Sequence, residues 1–334
     1  MRHVDIERYR FDFDLTLSVL LMHPDGTIYH RFGGRPSEDA LAWNSIEPLI
    51  ELLDATLEDH AEYQKDPKPP AAKEPRTVLD IPPLAKRIQP NACVHCHTIH
   101  DALNAEKIDK GTFDRERIWI WPDPDRIGLR MDPKDQTRIA AVIPDSPAAR
   151  AEIMPDTRLL EIDGARPRTI NDLQAALHDA PFGDHTFEAT IRVGTGGNAV
   201  DVVYPIGVRD GWKATSPERF AWRAYKWTLP NGPGFGGPAL DTEAKRALGV
   251  DDDAFAMRVQ YIVNWGPKAH RGRNVARAGI RPGDVLVGLD GKTDFVSVDH
   301  YHAWVRLMRK EGDTLRVSLL RKGKPVEVQL TLVD

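Results

Sequence analysis

The first sixty residues change from an extended pattern of apolar side chains to a helical one. Residues 15–22 and 27–32 are rich in strand-forming residues, and Asp25-Gly26 between them is a strong hairpin signal because glycine accepts the positive φ of such turns. Residues 39–60 then have apolar side chains at helical spacing, and Ser37 stands where an N-terminal cap is expected. The helical apolar positions are Leu41, Ile46, Leu49, Ile50, Leu53 and Leu57. The pattern predicts a strand, a turn, a strand and a long helix, which is half of a small α/β unit.

A proline-rich stretch, residues 66–83, follows the predicted helix. Each proline removes a backbone donor and disfavours helix in the residue before it. The stretch predicts a semi-rigid linker over residues 64–90, followed by a short helical segment at 91–118 that holds both cysteines of the chain.

An internal repeat occupies the rest of the chain. Residues 148–164 and 275–291 align without gaps, so that Ala149 matches Ala276 and Gly164 matches Gly291. An amphipathic helix follows each copy, at 169–180 and 297–312, and a pair of strands with a glycine-containing turn comes next, at 185–206 and 313–332. Two copies of one supersecondary unit explain this pattern.

The repeated unit resembles the PDZ domain, whose signature around A-G-I-x-x-G-D is matched well by the second copy. The first copy has Glu152, Asp156 and Thr157 where the signature has Gly, Gly and Asp. The resemblance implies one PDZ domain at 119–210 and a second at 251–334, joined by a Gly/Pro-containing linker at 211–250.

A PDZ domain binds the C-terminal segment of a partner as an added strand and holds its carboxylate on the N–H groups of a glycine-containing loop. The resemblance places this loop at Ile127, Gly128 and Leu129 in the first copy. In the second copy it places the loop at 254–259, where Ala256 replaces the glycine and its Cβ narrows the approach of a ligand. We therefore expect the first groove to bind protein C-termini and the second to bind them less well.

PDZ units often accompany trypsin-like proteases, and residues 232–240, GPGFGGPAL, superficially resemble the segment around a catalytic serine. This segment contains no serine. Without a nucleophile there is no catalytic triad, so we interpret the segment as part of the linker.

The most specific chemical signal is C-x-x-C-H, formed by Cys93, Cys96 and His97. It is the attachment signal of c-type haem, because two cysteines on one helical turn present both sulfurs to the vinyl groups and the next residue brings an imidazole to the iron. His97 is then the proximal metal ligand. For the distal ligand, Met131 and His3 are candidates without support from any pattern.

Zinc and thiol chemistry are the alternatives for this segment. Cys93, Cys96, His97 and His100 fall at i, i+3, i+4 and i+7, but seven residues of helix rise about 10 Å, which is too far for one tetrahedral site. A mixed zinc site with a remote His or Asp therefore stays open, and so does a redox-active thiol pair. His95 and His100 are expected to face solvent or to lie behind the ligands.

Charge and hydropathy exclude some partners. The chain has 45 Lys and Arg against 50 Asp and Glu, a formal charge of −5, so it offers no electrostatic surface for nucleic acid. The longest apolar stretch, residues 15–22, is far shorter than the roughly 20 residues of a membrane span. The acidic N-terminal segment does not match a secretion signal.

The order of these modules, with FDFDLTLSVLLMHPDGTIYHRFGGR, CVHCH, GFGGPALDTEAKRALG and two PDZ copies, resembles the thioredoxin-like/PDZ domain-containing (seleno)proteins of planctomycete type. The resemblance implies an α+β multidomain chain in which residues 1–63 are the second half of a thioredoxin-like domain. The first half, with its redox motif, would precede Met1. A half domain has an unpaired strand edge, which we expect upstream residues or a partner to cover.

Two functions follow as hypotheses. The first is an exported, periplasmic redox protein that carries haem c and is tethered to a redox partner through its PDZ domains, since haem attachment takes place outside the bacterial cytoplasm. The alternative is a non-enzymatic tandem-PDZ adaptor for protein C-termini, with a zinc-binding or thiol-redox C-x-x-C segment, and free thiols would suit the cytosol.

Overall fold

The computed structural model describes residues 2–35, 39–89, 94–118, 121–223 and 229–333. The chain divides into a first unit, residues 1–112 with 117–214, and a second unit, residues 113–116 with 215–334. Each has its own hydrophobic core. Among the described helices, none combines the length and the hydropathy that a membrane span requires.

The N-terminal part of the first unit contains the predicted hairpin and long helix. Strands β1 (Val19–Met22) and β2 (Ile28–Phe32) pair antiparallel, and Gly26 in the turn has φ 92°. Helix α1 (Ile46–Tyr63) begins after Ser45, later than predicted. Asn44 causes the delay, because its N–H and side-chain amide close a turn onto the carbonyl groups of residues 41 and 40. Ser37, the predicted cap, lies outside the described residues.

The second half of the predicted linker is folded. A 3₁₀ helix (Val78–Asp80), helix α2 (Pro82–Ala85) and helix α3 (Cys96–Asp109) follow one another here. Val78 and Ile81 are fully buried and pack in one small core with Ile99 of α3. The linker prediction is therefore wrong for this half, because apolar residues between the prolines recur at a spacing of three and pack on α3. The first half, residues 64–77, forms neither helix nor strand.

The rest of the first unit is a five-stranded antiparallel sheet in the order β3-β4-β5-β6-β7. Its strands are β3 (Leu129–Met131), β4 (Arg138–Val142), β5 (Thr157–Ile162), β6 (His185–Val193) and β7 (Val200–Val208). Helix α4 (Pro147–Arg150) and helix α5 (Ile170–Asp179) pack on it, and the Thr169 hydroxyl caps α5 by accepting the N–H of Asp172. The predicted helix and strand pair after the first repeat are confirmed.

The second unit repeats this arrangement. Its strands are β8 (Phe235–Gly236), β9 (Met257–Arg258), β10 (Tyr261–Ile262), β11 (Val285–Leu289), β12 (Thr314–Arg321) and β13 (Lys324–Thr331). The order β13-β12-β11-β9 forms one sheet, and β8 pairs with β10. Its helices are α6 (Pro217–Phe220), α7 (Thr242–Ala247), α8 (Ala269–Arg277) and α9 (Val298–Met308). Strand β8 and helices α6 and α7 lie within the predicted linker, residues 211–250, because the second unit begins well before residue 251.

Candidate functional site

The predicted peptide loop of the first unit is a tight turn that requires glycine. It begins with a 3₁₀ helix (Pro124–Arg126) and leads through Ile127 and Gly128 into β3. Gly128 has φ 95°, and a Cβ at this position would lie 2.0 Å from the Ser146 Oγ. Only glycine therefore allows this loop to approach the start of α4 so closely.

Two of the three N–H groups of this loop already have partners within the turn. The N–H of Ile127 donates to the Pro124 carbonyl, and that of Gly128 donates to the Asp125 carbonyl, both at 3.1 Å. A ligand carboxylate would have to compete with these two bonds. The third N–H, that of Leu129, belongs to the strand.

Strand β3 is the outermost described strand of its sheet beside this loop, and Leu129 at its start is only 1% exposed. The Gly128 carbonyl accepts the N–H of Ile143 at 2.9 Å, and in an antiparallel pair the next residue points its polar groups away from the neighbouring strand. The N–H and C=O of Leu129 therefore point away from β4. Within the described residues no strand pairs with β3 on that side. This backbone direction suits strand addition, but the burial of Leu129 means that the groove must open before a partner strand can pair.

Helix α5 stands beside the loop and is fixed there by polar side chains. Gln174 donates from Nε2 to the Asp123 Oδ1 at 2.8 Å, just before the 3₁₀ helix. Trp121 stacks on His178, with ring centroids 5.2 Å apart and planes at 4°. These contacts hold the helix against the loop segment.

The N-terminal part of the first unit holds the start of α5. The N–H of Arg31 donates to the Asp172 Oδ1 at 2.7 Å, and the Arg31 carbonyl accepts the Thr169 hydroxyl. Gln136 donates to the Trp43 carbonyl at 3.2 Å and accepts the N–H that begins α5 at 3.0 Å. The hairpin therefore positions a helix of the PDZ-like part, which sequence reasoning did not predict.

Strand pairing gives the correspondence between the two units. In the first sheet Arg138 pairs with Arg158, and in the second Arg258 pairs with Val285. Arg158 and Val285 are matching positions of the internal repeat. Arg258 is therefore the counterpart of Arg138.

The strand that carries the loop follows from this correspondence. Four residues beyond the matched arginines, Val142 pairs with Leu129 and Ile262 pairs with Phe235. Phe235 is therefore the counterpart of Leu129, and the residue before it, Gly234, is the counterpart of the loop glycine.

The loop of the second unit thus lies at 232–235, and its predicted position at 254–259 is wrong. Gly234 has φ 83° and its carbonyl accepts the N–H of Val263 at 2.8 Å, as in the first loop. Ala256 instead accepts a backbone hydrogen bond from Leu240 beside β9. The prediction failed because the two copies differ in length before the aligned repeat, so sequence spacing alone shifted the loop.

Basic side chains meet at this second loop. A Cβ on Gly232 would lie 2.1 Å from Nη1 of Arg306 and 2.6 Å from Nη1 of Arg271, and one on Gly236 would lie 3.1 Å from Nε2 of His302. Arg271, Arg306 and His302 are 7%, 6% and 2% exposed. Two guanidinium groups and an imidazole thus surround the loop, an arrangement suited to an anionic ligand group.

The described part of the cysteine segment starts at residue 94. Helix α3 begins at Cys96, and the preceding His95 is extended, with φ −76° and ψ 144°. Cys96 is thus the first residue of the helix, and Cys93 lies outside the described residues, so the expected sharing of one helical turn by the two sulfurs stays a prediction. His95 and His97 are both exposed, with ring centroids 6.0 Å apart.

Cys96 lies at the margin of an apolar cleft. The thiol is half-buried, and burial raises its pKa, which lowers the fraction of reactive thiolate and disfavours the thiol-redox hypothesis. The cleft measures about 570 Å³ and is lined by Cys96 with Phe11, Leu15, Leu20 and Met22, among others. An apolar group attached to Cys96 would find an apolar wall here.

His100 is buried, which corrects the expectation of a solvent-facing side chain. It is 1% exposed, and its Nδ1 lies 3.5 Å from the Asp14 Oδ2. Donor atoms of Asp12, Asp14 and His100 all lie within 4.8 Å of one another. These three buried residues could hold a metal ion, although Cys96 does not belong to the cluster.

Neither candidate for the distal haem ligand is supported. Met131 belongs to the core of the five-stranded sheet, whereas Cys96 packs against the small core around Ile99. His3 is exposed. The side chain of Met131 therefore packs in a different hydrophobic core from the one that Cys96 contacts.

Comparison with known proteins confirms the PDZ assignment of the first repeat. The sequence model of the PDZ domain matches residues 138–188. No curated protein matches the chain. The match does not include residues 1–137 or 189–334, so the thioredoxin-like half domain and the second PDZ domain stay predictions.

Solved structures similar to this chain include proteases. One is an HtrA-type protease, AlgW with decapeptide, at 15% identity and TM-score 0.25, covering 44% of this chain and 48% of that one. Another is the serine endoprotease from Yersinia pestis, at 17% identity and TM-score 0.20, covering 54% and 53%. The alignments span about half the length of these proteins.

Proposed function

We propose that this protein is a peptide-binding adaptor that takes extended partner segments along its PDZ edges. The observation that carries the proposal is the terminal position of β3 in its sheet beside the loop at Gly128, with the polar groups of Leu129 directed away from β4. Main-chain pairing supplies affinity in strand addition, and the flanking helix supplies side-chain selectivity.

The first unit is expected to bind a C-terminal peptide through both the edge and the loop. A peptide library with free and amidated C-termini tests this by fluorescence anisotropy. Free carboxylates should bind more tightly, although moderately so, because the N–H groups of Ile127 and Gly128 are partly satisfied within the turn. Absence of binding by any library member would contradict the adaptor function.

A glycine pair offers a matched test of the loop. Gly128→Ala places a Cβ against the Ser146 Oγ, whereas Gly164→Ala, also at positive φ, meets nothing within 4 Å. Both changes strain the backbone by about 1–2 kcal/mol, but only Gly128→Ala should also abolish peptide binding. Equal loss of binding in both variants, with both shown to be folded by circular dichroism, would argue against a role for the loop.

The second unit is expected to prefer a ligand with a negatively charged end. The Nη1 atoms of Arg271 and Arg306 lie beside Gly232 there, and their charge would favour a free carboxylate over its amide. Arg306→Gln should weaken binding of a free C-terminus more than that of its amide. An equal effect on both peptides would contradict this preference.

A covalent haem c is the second candidate function, favoured by the apolar cleft beside Cys96. Cys93 and Cys96 would hold the vinyl groups and His97 would bind the iron, and the group would supply one-electron transfer. Attachment would imply a periplasmic location. A pyridine haemochrome spectrum of protein matured in a cytochrome c-producing host tests this, and Cys96→Ser should remove the signal. A colourless wild-type protein would contradict it.

A metal held by Asp12, Asp14 and His100 is the alternative to haem, and it differs from the predicted zinc site because no cysteine belongs to this cluster. Oxygen and nitrogen donors of this kind suit a divalent transition metal. Elemental analysis of tag-free protein should find metal that is lost in His100→Gln and kept in His97→Gln, since His97 is exposed. Metal that follows His97 instead would place the site elsewhere.

A further inference from the structure

The long helix α1 has an apolar face that its own unit does not cover. Ile46, Ile50, Leu53 and Leu57 are 59%, 53%, 47% and 70% exposed. Their spacing of four, three and four residues places them on one side of the helix. We refer to these four residues as the aliphatic stripe.

The other side of α1 holds the helix in place. Leu52 is 2% exposed, and Pro48 is also buried. His60 and Tyr63 bond to side chains of the hairpin, at 2.9 Å to Tyr29 and 2.9 Å to Thr27. The helix is therefore anchored without the aliphatic stripe, which stays available for another molecule.

A row of carboxylates runs beside the aliphatic stripe. An exposed acid directly follows each of its members, and one residue is about 100° around a helix. The acids are Glu47, Glu51, Asp54 and Glu58, named here the acidic row. Residues 46–63 contain no Lys or Arg. The exposed side of α1 thus has an aliphatic half and a uniformly negative half.

This distribution of charge selects against a second copy of the chain. In an antiparallel pair of identical helices the same flanks face each other, so the two acidic rows would meet. Like charges at this distance are destabilising. The favoured occupant has the same apolar pattern and the opposite charge.

We propose that the exposed side of α1 binds a basic amphipathic helix of a partner protein. Apolar side chains of the partner cover the aliphatic stripe, and its Lys or Arg side chains lie against the acidic row. The 18 residues of α1 span about 27 Å, enough for several turns of such a helix. This site lies on a different element from the PDZ grooves and does not depend on them.

The probe is a synthetic 18-residue amphipathic peptide with a leucine row and a lysine row, labelled for fluorescence anisotropy. A matched probe carries glutamate in place of lysine. Full-length protein should bind the lysine probe and not the glutamate probe. Raising NaCl from about 0.05 M to about 0.5 M should weaken binding at least roughly tenfold, because the charge pairs are exposed.

Two variants separate the halves of the surface. Ile50→Ser with Leu57→Ser should weaken binding of the lysine probe roughly 100-fold through lost apolar burial. Glu51→Lys with Glu58→Lys should reverse the preference, so that the glutamate probe now binds better. All four positions are exposed, and circular dichroism should show unchanged folding.

Three results would overturn the proposal. One is a failure of the charge-reversed variant to change its preferred probe, which would mean non-specific adsorption. Another is equal binding by wild type and by the serine variant. The third is a dimer in light scattering that dissociates in the serine variant, since a second copy would then be the occupant.

Discussion

At the scale of single residues, His30 joins three elements of the first unit. It lies in β2, its Nε2 is 2.7 Å from the Asp59 Oδ2 of α1, and its Nδ1 is 3.1 Å from the Asp172 Oδ2 of α5. Burial alone would lower the pKa of His30, but the hydrogen bond and charge of Asp172, and then those of Asp59, raise it above the ordinary value. The charged imidazole is therefore favoured in the folded protein.

The pH dependence of stability follows from this direction. A raised folded pKa contributes stability that is complete below about 6.5, the ordinary pKa of histidine, and is lost as the pH rises through the folded value. The urea concentration at the unfolding midpoint of the first unit should therefore fall as the pH rises above neutral.

Replacement of His30 tests whether this residue causes the pH dependence of stability. His30→Gln should lower the free energy of unfolding by about 3 kcal/mol, since it leaves Asp172 buried without its charged partner. The variant should also lose the alkaline decrease, whereas the exposed His97→Gln should keep it. An unchanged pH profile in His30→Gln would assign the titration to another group.

At the scale of elements, α1 shows what the spacing of apolar residues predicts and what it does not. Its helical spacing predicts the helix itself, and the structure confirms it. The same spacing suggests that Ile50 and Leu53 face a core, yet they are exposed, and the buried side is the one with Leu52. Periodicity identifies an apolar face but does not say what covers it.

Neighbouring leucines of α1 provide a direct comparison. Leu52→Ala should destabilise the first unit by about 2–5 kcal/mol, because Leu52 is 2% exposed. Leu53→Ala should change stability by no more than about 0.5 kcal/mol, because Leu53 is 47% exposed. Chemical denaturation of both variants measures the difference. Similar losses in the two would mean that the stripe is covered in solution.

The two glycine loops show that spacing in the sequence locates one loop and misses the other. Ile127, Gly128 and Leu129 were predicted from the resemblance, and they do form a turn before an edge strand. The second loop was misplaced to 254–259, because only strand pairing reveals that Phe235 corresponds to Leu129. The signal in the sequence was present in GPGFGG, which has the glycine that the predicted segment lacks.

At the scale of the whole molecule, the chain forms two compact units with separate cores. Leu177 in the first core and Leu286 in the second are both fully buried. Each unit buries enough apolar surface to unfold as a cooperative body of its own. The internal repeat predicted this duplication.

Calorimetry of two core variants tests whether the two units unfold separately. Leu177→Ala should lower the free energy of unfolding of the first unit by about 2–5 kcal/mol, and Leu286→Ala should lower that of the second unit by a similar amount. Each variant should shift the transition of its own unit to a lower temperature. The remaining transition should stay at its wild-type temperature in each variant. A single transition that moves in both variants would contradict separate units.

The sequence by itself determined the local elements: the hairpin at Asp25-Gly26, the helices after Thr169 and Ser297, and the duplication of the PDZ-like unit. These depend on turn chemistry, capping and periodicity, which act between residues close together in the chain. Only the tertiary structure decided that His30 meets Asp172, that His100 is buried against Asp14, and that the stripe on α1 stays open. Such contacts join residues far apart in the chain, and their selection depends on how whole surfaces pack, which no local pattern encodes.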